Sequence, residues 1–278
     1  MQDNRPIGVF DSGIGGLTVL REIWAACPGE STVYFGDNSR APYGTKSKST
    51  VIRYSLQNLK FLESKNVKMI VVACNTASAY AYEALKAAAD VPVVEVVTPG
   101  AAAACRATHN GRIGIIATNA TVSTGVYKTA VESAAESLGL GSLEITQKAC
   151  PLFVSLAEEG WWDTEVTKLT AEEYLKPLKD AGVDTLVLGC THYPLLANVI
   201  QKVMGESVKL VNTGVATAQT VRNVLESMDI RAQGCDSAKE FYTSDEPEMF
   251  EAVASPFLGS GLPAGTRHFS TDRYEVNG

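Results

Sequence analysis

Short apolar runs alternate along the chain with longer segments in which apolar side chains recur every three or four residues. The short runs are typical of strands buried on both faces of a parallel sheet, and the longer segments are typical of amphipathic helices. Residues 49–65 are the clearest helix candidate, with Ile52 and Leu56 near helical spacing. This alternation predicts an α/β fold in which mainly parallel sheets are flanked by helices.

The same pattern places the remaining elements in a regular order. Predicted strands cover residues 7–10, 32–35, 93–97, 113–118, 143–146, 186–189, 209–211 and 241–243, and a further strand ends at Cys74. Predicted helices cover residues 17–27, 49–65, 77–89, 124–138, 164–181, 195–203, 215–228 and 247–254. Residues 150–163 are predicted to form a loop.

The second half of the chain repeats the order of the first half. Residues 113–118 resemble residues 7–12 in type over four positions, and in each half a strand that ends in a cysteine follows later. Thr98-Pro99-Gly100 interrupts the pattern, and we interpret it as the crossing between two domains. We therefore expect two pseudo-symmetric lobes with an active site between them.

Each predicted lobe carries one cysteine directly after a buried strand. The first lobe, residues 1–98 plus 209–278, contains Cys74, and the second lobe, residues 99–208, contains Cys190. Open α/β sheets bind ligands at the carboxyl ends of their strands, because the next helix begins there with free backbone N–H groups. We expect both thiols at the edge of a site, where a helix N-terminus would favour the thiolate of Cys74.

Polar neighbours distinguish these two thiols from the other cysteines. Asn75-Thr76 follows Cys74, and Thr191-His192 follows Cys190, so amide, hydroxyl and imidazole groups stand beside the thiols. Free cysteine is otherwise most often a small buried apolar side chain. That interpretation is given to the remaining four, Cys27, Cys105, Cys150 and Cys235.

Composition excludes several classes of protein. The chain of 278 residues has a net charge of −7 and a pI near 5.1, and it has no basic run, which argues against nucleic-acid binding. The first residues lack the apolar core of a signal peptide, and no run of about 18 apolar residues predicts a membrane span. Six cysteines without CxxC spacing argue against disulfides and structural zinc. The expected location is the cytoplasm.

Motifs for common cofactors are absent from the sequence. There is no GxxxxGK[ST] phosphate loop, and Gly13-Ile14-Gly15-Gly16 is too short for the dinucleotide pattern GxGxxG. With Asp11 and Ser12 ahead of it, this turn is predicted instead to expose backbone N–H groups to an anion. The three histidines are not grouped with cysteines at zinc spacing. No metal and no cofactor are predicted.

Six motifs together resemble glutamate racemase, of the aspartate/glutamate racemase family, and occur in order between residue 7 and about residue 220. They are Asp11-Ser12-Gly13-Ile14-Gly15-Gly16, Asp37 with Arg40-Ala41-Pro42-Tyr43-Gly44, Ala73-Cys74-Asn75-Thr76, Cys150-Pro151-Leu152-Phe153-Val154, Glu158-Glu159-Gly160 and Gly189-Cys190-Thr191-His192-Tyr193-Pro194. The chain departs from the family at Ser155, where proline is frequent, and at Asn212, where aspartate is expected. Both departures concern the rigidity of loops.

The resemblance implies a cofactor-independent isomerase that interconverts L- and D-glutamate. It implies a role in peptidoglycan synthesis, and so in cell wall biogenesis and cell shape, through the supply of D-glutamate. It also implies that Cys74 removes the α-proton of D-glutamate and that Cys190 removes the α-proton of L-glutamate. Asp11 and His192 are implied to tune the two thiols, with Asp37 and Glu158 as weaker candidates.

Substrate contacts are also implied by the resemblance. They are Asp11, Ser12, Pro42, Tyr43, Gly44, Asn75, Thr76, Thr191 and His192. Thr118 and Thr121 are added because they follow the strand that mirrors the one before Asp11 and Ser12. Members of the family are often dimers, although the sequence does not identify an interface.

The residues themselves support the same chemistry. Racemisation needs a base on one face of Cα and an acid on the opposite face. Two thiols, one ionised and one protonated, meet that requirement without a cofactor, since thiols titrate at about 8.5 when unperturbed. Arg40 is the only cation in the substrate motifs, so a dianionic amino acid would be held mainly by backbone N–H groups and hydroxyls.

Three alternatives remain open. An aspartate or hydantoin racemase would share the two cysteines, although Thr-His-Tyr-Pro after Cys190 favours glutamate. A thiol hydrolase would use one cysteine with His192 as its base and would not need Cys74. A binding protein without catalysis would not need two reactive thiols. Because the first strand begins at Ile7, we expect no long N-terminal extension and activity without a nucleotide-sugar activator.

Overall fold

The computed structural model describes residues 3–233 and 237–276, which form two sheets and the helices that cover them. The strands in these residues are β1 (Ile7–Asp11), β2 (Thr32–Gly36), β3 (Met69–Val72), β4 (Val93–Glu95), β5 (Arg112–Ala117), β6 (Glu144–Ala149), β7 (Thr185–Gly189), β8 (Lys209–Asn212), β9 (Lys239–Thr243) and β10 (Thr266–His268).

The α-helices connect these strands. They are α1 (Leu17–Ala26), α2 (Lys48–Ser64), α3 (Asn75–Ala88), α4 (Val97–Ala107), α5 (Asn119–Thr124), α6 (Val126–Ser137), α7 (Leu152–Glu158), α8 (Glu165–Asp180), α9 (Ala197–Met204), α10 (Thr213–Ser227) and α11 (Pro247–Leu258). Short 3₁₀ helices cover Asn38–Arg40, Tyr43–Thr45, Tyr193–Leu196 and Thr271–Arg273.

Every strand pair in both sheets is parallel. The first sheet has the order β10-β9-β2-β1-β3-β4, and the second has the order β6-β5-β7-β8. The order β2-β1-β3-β4 of the first sheet is therefore repeated in the second. Strands β3 and β7, which precede Cys74 and Cys190, occupy equivalent positions, and the predicted α/β class with two parallel sheets is confirmed.

The predicted boundary between residues 208 and 209 is wrong. Strand β8 pairs with β7, so that Leu210 lies beside Leu186 and the second sheet extends through Asn212. The helix that follows, α10, packs against both α1 and α4. Strands β9 and β10 add to the first sheet beside β2, and β10 was not predicted at all.

Thr98-Pro99-Gly100, interpreted from the sequence as a domain crossing, lies inside α4. Proline is tolerated here because the first turn of a helix has N–H groups without intrahelical acceptors. The carboxylate of Glu95 accepts hydrogen bonds from the backbone N–H groups of Val97 and Thr98 and so caps this helix. The N-cap position itself holds Val96 in place of the usual Ser, Thr, Asp or Asn, which explains why the sequence pattern did not indicate a helix start.

Two further segments differ from their predictions. The predicted loop 150–163 contains α7, which is only 7 residues long and too short to show a helical period. The predicted helix 124–138 is α6, and the separate helix α5 precedes it. Gly125, with φ of 67°, joins the two helices, because the left-handed conformation ends α5 and allows α6 to begin in a new direction.

Helices cover both faces of each sheet. One face of the first sheet packs on α1, α10 and α11, and the other packs on α2 and α3. In the second sheet α8 and α9 cover one face, and α4 and α6 cover the other. The strands read as continuous apolar runs for this reason, since neither face of a central strand is exposed to water.

A buried ion pair lies at the amino-terminal edge of the first sheet. Lys68 is fully buried just before β3, and its Nζ is 2.5 Å from Oε2 of Glu30. The ammonium group also donates to the carbonyl oxygens of Asp3 (2.6 Å) and Ile230 (2.8 Å). These contacts hold the first residues of the chain and the end of α10 to the bottom of the sheet.

We predict that Lys68→Met lowers the free energy of unfolding by about 3–5 kcal/mol, because it leaves the carboxylate of Glu30 buried without its partner. Urea denaturation followed by circular dichroism measures the change. Lys68→Met combined with Glu30→Gln removes both charges and should recover part of the loss. A single substitution that costs under about 1 kcal/mol would show that the pair is not a buried ion pair in solution.

Candidate active site

The two thiols singled out in the sequence line one cavity of about 290 Å³. It lies at the carboxyl ends of β3 and β7, and residues of both sheets surround it. Both cysteines are buried, with 5% of Cys74 and 6% of Cys190 exposed. The cavity is lined by Ser12, Pro42, Tyr43, Gly44, Thr45, Cys74, Asn75, Thr76, Thr118, Asn119, Pro151, Leu152, Val154, Ser155, Cys190, Thr191 and His192.

Cys74 is the N-cap residue of α3, as its position after a strand predicts. Its Sγ accepts a hydrogen bond from the backbone N–H of Ala77 at 3.4 Å and lies 3.6 Å from Oγ of Ser12. Burial nevertheless raises the pKa of Cys74 well above its usual value, and the negative charge of Asp11 raises it further. The N–H group at the start of α3 favours the thiolate, as expected, but desolvation outweighs it, so the pKa is not lowered overall.

Asp11 lies behind the cavity rather than in its lining. Its Oδ2 accepts a hydrogen bond from the backbone N–H of Gly16 at 2.7 Å and lies 3.5 Å from Oγ1 of Thr191. The residue is 1% exposed, and burial raises the pKa of its carboxyl group. In this structure Asp11 acts on Cys74 electrostatically and is not a wall of the substrate cavity.

Cys190 begins a chain of three polar side chains. Its Sγ is 3.8 Å from Nδ1 of His192, and Nε2 of His192 is 2.9 Å from the carboxylate of Glu158. Burial opposes ionisation of the imidazole, but the hydrogen bonds with Cys190 and Glu158 outweigh it and raise the pKa of His192 to about 10. These hydrogen bonds favour the cationic form of the imidazole, which lies beside the sulfur of Cys190.

The glycine-rich turn after β1 packs against the second lobe, and its predicted exposure of N–H groups to an anion stays a prediction. The N–H of Gly16 is bonded to Asp11, and Gly15 packs against the second lobe. A Cβ added to Gly15 would lie 2.6 Å from Cε1 of His192, so no side chain fits there. Thr18 extends this contact by donating from Oγ1 to the carbonyl oxygen of Thr191 at 2.9 Å. The turn therefore joins the two lobes.

Most of the implied substrate contacts line the cavity, and Thr121 joins Asp11 as an exception. Thr121 is fully buried, and its Oγ1 lies 3.0 Å from that of Thr118 and 3.4 Å from that of Thr76. The hydroxyls of Thr76 and Thr118 are themselves 3.0 Å apart. Thr121 thus supports two threonines in the lining, one from each lobe.

Asp37 positions a wall of the cavity instead of contacting either cysteine. Its carboxylate accepts from the hydroxyl of Tyr43 and forms a buried ion pair of 2.8 Å with Arg40. The guanidinium of Arg40 also bonds Thr271 and Asp272, far along the chain. Arg40 is thereby turned away from the cavity, and no lysine or arginine is present among the described lining residues.

Six lining residues were not predicted as site residues. They are Thr45, Asn119, Pro151, Leu152, Val154 and Ser155. Asn119 could have been found, because it follows Thr118 as Asn75 follows Cys74. The others lie after Tyr43-Gly44 and on α7. Ser155, one of the two departures from the family pattern, therefore belongs to a helix that faces the cavity and not to a loop. Asn212, the other departure, is the N-cap of α10, and its side chain accepts a hydrogen bond from the N–H of Gly214 at 2.9 Å.

The three other cysteines that the structure describes do not line the cavity. Cys27, Cys105 and Cys150 are buried free thiols, and Cys235 lies outside the described residues. Within residues 3–233 and 237–276, no three His, Cys, Asp or Glu side chains are grouped so that they could hold a metal ion. Over the same ranges, every helix is too short or too polar to cross a membrane.

Comparisons with known proteins give one consistent result. The family model described as Asp/Glu/Hydantoin racemase matches residues 7–221. A glutamate racemase of Geobacter metallireducens is 49% identical over 93% of this chain and 94% of its own length. The structure of a glutamate racemase isoform from Bacillus anthracis superposes with a TM-score of 0.91 at 36% identity, covering 96% of this chain and 98% of that one.

A second solved structure carries a ligand. It is glutamate racemase from Francisella tularensis subsp. tularensis SCHU S4 in complex with D-glutamate. It superposes with a TM-score of 0.89 at 36% identity and covers 98% of this chain and 100% of that chain.

We predict that Glu158→Gln lowers the pKa of His192 by about one pH unit, because it removes a negative charge hydrogen-bonded to the imidazole. An NMR titration of the histidine ring signals measures this change. Glu159→Gln is the matched control. It removes the same charge from the next residue along the chain, whereas the hydrogen bond with His192 is made by Glu158. An unchanged titration of His192 in Glu158→Gln would contradict the arrangement described here.

Proposed function

The chain belongs to the aspartate/glutamate/hydantoin racemase family, and we propose that it interconverts L- and D-glutamate with Cys74 and Cys190 as the two acid–base groups. The observation that carries the proposal is the pair of buried thiols on one small cavity, one from each lobe. Glutamate racemases that cover nearly the whole chain support glutamate as the substrate.

The two thiols are prepared for different protonation states. On the first lobe, burial and Asp11 raise the pKa of Cys74, so this group holds its proton. On the second lobe, the cationic imidazole of His192 lies 3.8 Å from the sulfur of Cys190. A positive charge at that distance stabilises a negative charge on sulfur more than it stabilises a neutral thiol. The conversion of L-glutamate in this proposal accordingly starts with Cys74 as the acid and Cys190 as the base.

Conversion of L-glutamate follows from that state. The thiolate of Cys190 takes the α-proton, and the electron pair left on Cα is delocalised into the substrate α-carboxylate. The thiol of Cys74 then donates its proton to the opposite face of Cα, giving D-glutamate. Cys190 is left protonated and Cys74 ionised. This form is the one that accepts D-glutamate, and the reverse reaction regenerates the first form.

Hydrogen bonds rather than ion pairs anchor the substrate. The lining contains the hydroxyls of Ser12, Thr76, Thr118 and Thr191 and the amide of Asn75. These neutral groups hold the substrate carboxylates, since no lysine or arginine is present among the described lining residues.

Two alternatives to this proposal remain. An aspartate or hydantoin racemase would use the same two thiols on a substrate of different size, and a thiol hydrolase would use one thiol for a different reaction. Cys190, His192 and Glu158 have the order of a hydrolase triad. A hydrolase, however, would have no use for Cys74 in the same cavity.

We also propose that the protein supplies D-glutamate for peptidoglycan, and hence for cell wall biogenesis, and that it is located in the cytoplasm. A homodimer is a further proposal, supported only by its frequency in the family.

The first test is incubation of the protein with L-glutamate in D₂O without any added cofactor. We expect D-glutamate carrying deuterium at Cα, detected by chiral chromatography and ¹H NMR, because the incoming proton comes from a thiol that exchanges with solvent. Cys74→Ser and Cys190→Ser should each abolish racemisation, since a hydroxyl is a far weaker acid than a thiol. Near-native turnover by Cys74→Ser would favour the hydrolase mechanism instead.

His192 should give the two directions unequal sensitivity, because it contacts Cys190 and has no counterpart beside Cys74. We predict that His192→Asn lowers kcat for L-glutamate more than for D-glutamate, by about 10²–10⁴. The enantiomers have an equilibrium constant of one, so kcat/KM must stay equal in the two directions. A larger fall in kcat for L-glutamate must therefore come with a matching larger fall in its KM. The primary isotope effect of α-deuterated L-glutamate should also become the larger of the two.

The control for that measurement is His109→Asn, which changes an exposed histidine outside the cavity lining. It should leave both directional kcat values unchanged. A loss below tenfold in His192→Asn, or isotope effects that stay equal for the two enantiomers, would make His192 a structural residue.

A further inference from the structure

One tyrosine connects the two thiol-bearing segments. Tyr127 begins the first turn of α6 in the second lobe and is fully buried. Its ring packs on the backbone just before Cys190, since a Cβ added to Gly189 would lie 3.0 Å from Cε2 of Tyr127. Its hydroxyl reaches the first lobe and donates to Oδ1 of Asn75 at 2.5 Å. The residue before one thiol is thereby linked to the residue after the other.

Asn75 uses only half of its amide in this contact. The side chain lines the cavity and is 3% exposed. Its Oδ1 is occupied by Tyr127, whereas its Nδ2 is buried without a hydrogen-bond partner among the described residues. A buried amide donor without a partner is costly and rare. Its position in the lining indicates that a ligand supplies the missing acceptor.

The orientation of an amide depends on what each of its two atoms meets. If the Asn75 amide were flipped, Oδ1 would face the cavity and oppose a substrate carboxylate. In the observed orientation Oδ1 receives the Tyr127 hydrogen and Nδ2 is free to donate, so both atoms are satisfied once an anion is bound. Burial, with the charges of Glu95 and Cys190, also raises the pKa of Tyr127, so the hydroxyl keeps the hydrogen it donates.

We propose that Tyr127 is a positioning residue that holds the Asn75 amide with Nδ2 toward a carboxylate of the substrate. This inference rests on the proposed function, because it takes glutamate as the ligand. Tyr127 itself does not line the cavity and does not touch the reacting atoms. It acts through Asn75, and it ties the binding of substrate to the contact between the lobes.

Tyr127→Phe removes the hydroxyl and keeps the ring. The variant can present Nδ2 to the substrate only by leaving Oδ1 buried without a donor, which weakens binding. We expect KM to rise about tenfold for both enantiomers. The contact is made equally in the ground state and the transition state, so kcat should stay within about threefold. A displaced Cys190, the result of a merely structural role, would instead lower kcat.

A double-mutant cycle separates action through Asn75 from general damage. Asn75→Ala should raise KM, and adding Tyr127→Phe to Asn75→Ala should have no further effect, because no amide remains to be oriented. Tyr242→Phe is the matched control, since it removes a buried tyrosine hydroxyl on β9, away from the cavity. Its effect should be absent in both backgrounds. If the rise in KM of the double variant equals the product of the two single rises, Tyr127 does not act through Asn75, and the proposal is overturned.

Asn75→Asp tests the orientation without changing Tyr127, should Tyr127→Phe fold poorly. It places a carboxylate oxygen at the position of Nδ2, so KM should rise more than in Asn75→Ala. An equal or smaller rise would overturn the proposal. Racemisation of glutamate by the unmodified protein is measured first, so failure of the proposed function is seen there and not in the variants. Isothermal titration of each variant with L-glutamate provides a binding readout that does not depend on turnover.

Discussion

The two lobes meet where the backbone of Gly15 packs directly on Thr191 and His192. No Cβ fits at this glycine, because it would lie within 3 Å of the side chains of Thr191 and His192. The same turn carries Ser12, whose hydroxyl lies 3.6 Å from the sulfur of Cys74. One rigid contact thus controls the position of the imidazole beside one thiol and of the hydroxyl beside the other. A side chain here would separate the lobes and open the cavity.

The repeated fold surrounds a site that is not symmetric in its charges. Both thiols follow the equivalent strand of a 2-1-3-4 sheet order. Cys74, however, has the buried carboxyl group of Asp11 nearby, and Cys190 has an imidazole whose pKa is raised by its hydrogen bonds with Cys190 and Glu158. This asymmetry allows two chemically identical groups to hold different protonation states in one cavity. Chemistry at Cα that needs one acid and one base then requires no third group.

The sequence was most informative where structure depends on nearby residues. Apolar runs predicted β3 and β7, and the polar residues after them predicted that Cys74 and Cys190 stand at strand ends. It was least informative where the local signal was short or unusual. Helix α7 has only 7 residues. The first turn of α4 is capped by a glutamate and contains a proline, and this sequence was interpreted as a crossing between domains. The lining residues on α7 were missed with the helix that carries them.

By itself, the sequence determined the alternation of strands and helices, the parallel sheets and the two thiols at strand ends, because side-chain periodicity and helix starts depend on neighbours within a few residues. Only the tertiary structure decided that Arg40 turns toward Asp272, that Asp11 lies behind the cavity and that Tyr127 bonds Asn75. These arrangements depend on residues separated by tens or hundreds of positions, and on burial, which sets the pKa values of Cys74 and Asp11. Local pattern does not contain that information, since distance and desolvation exist only once the lobes have packed.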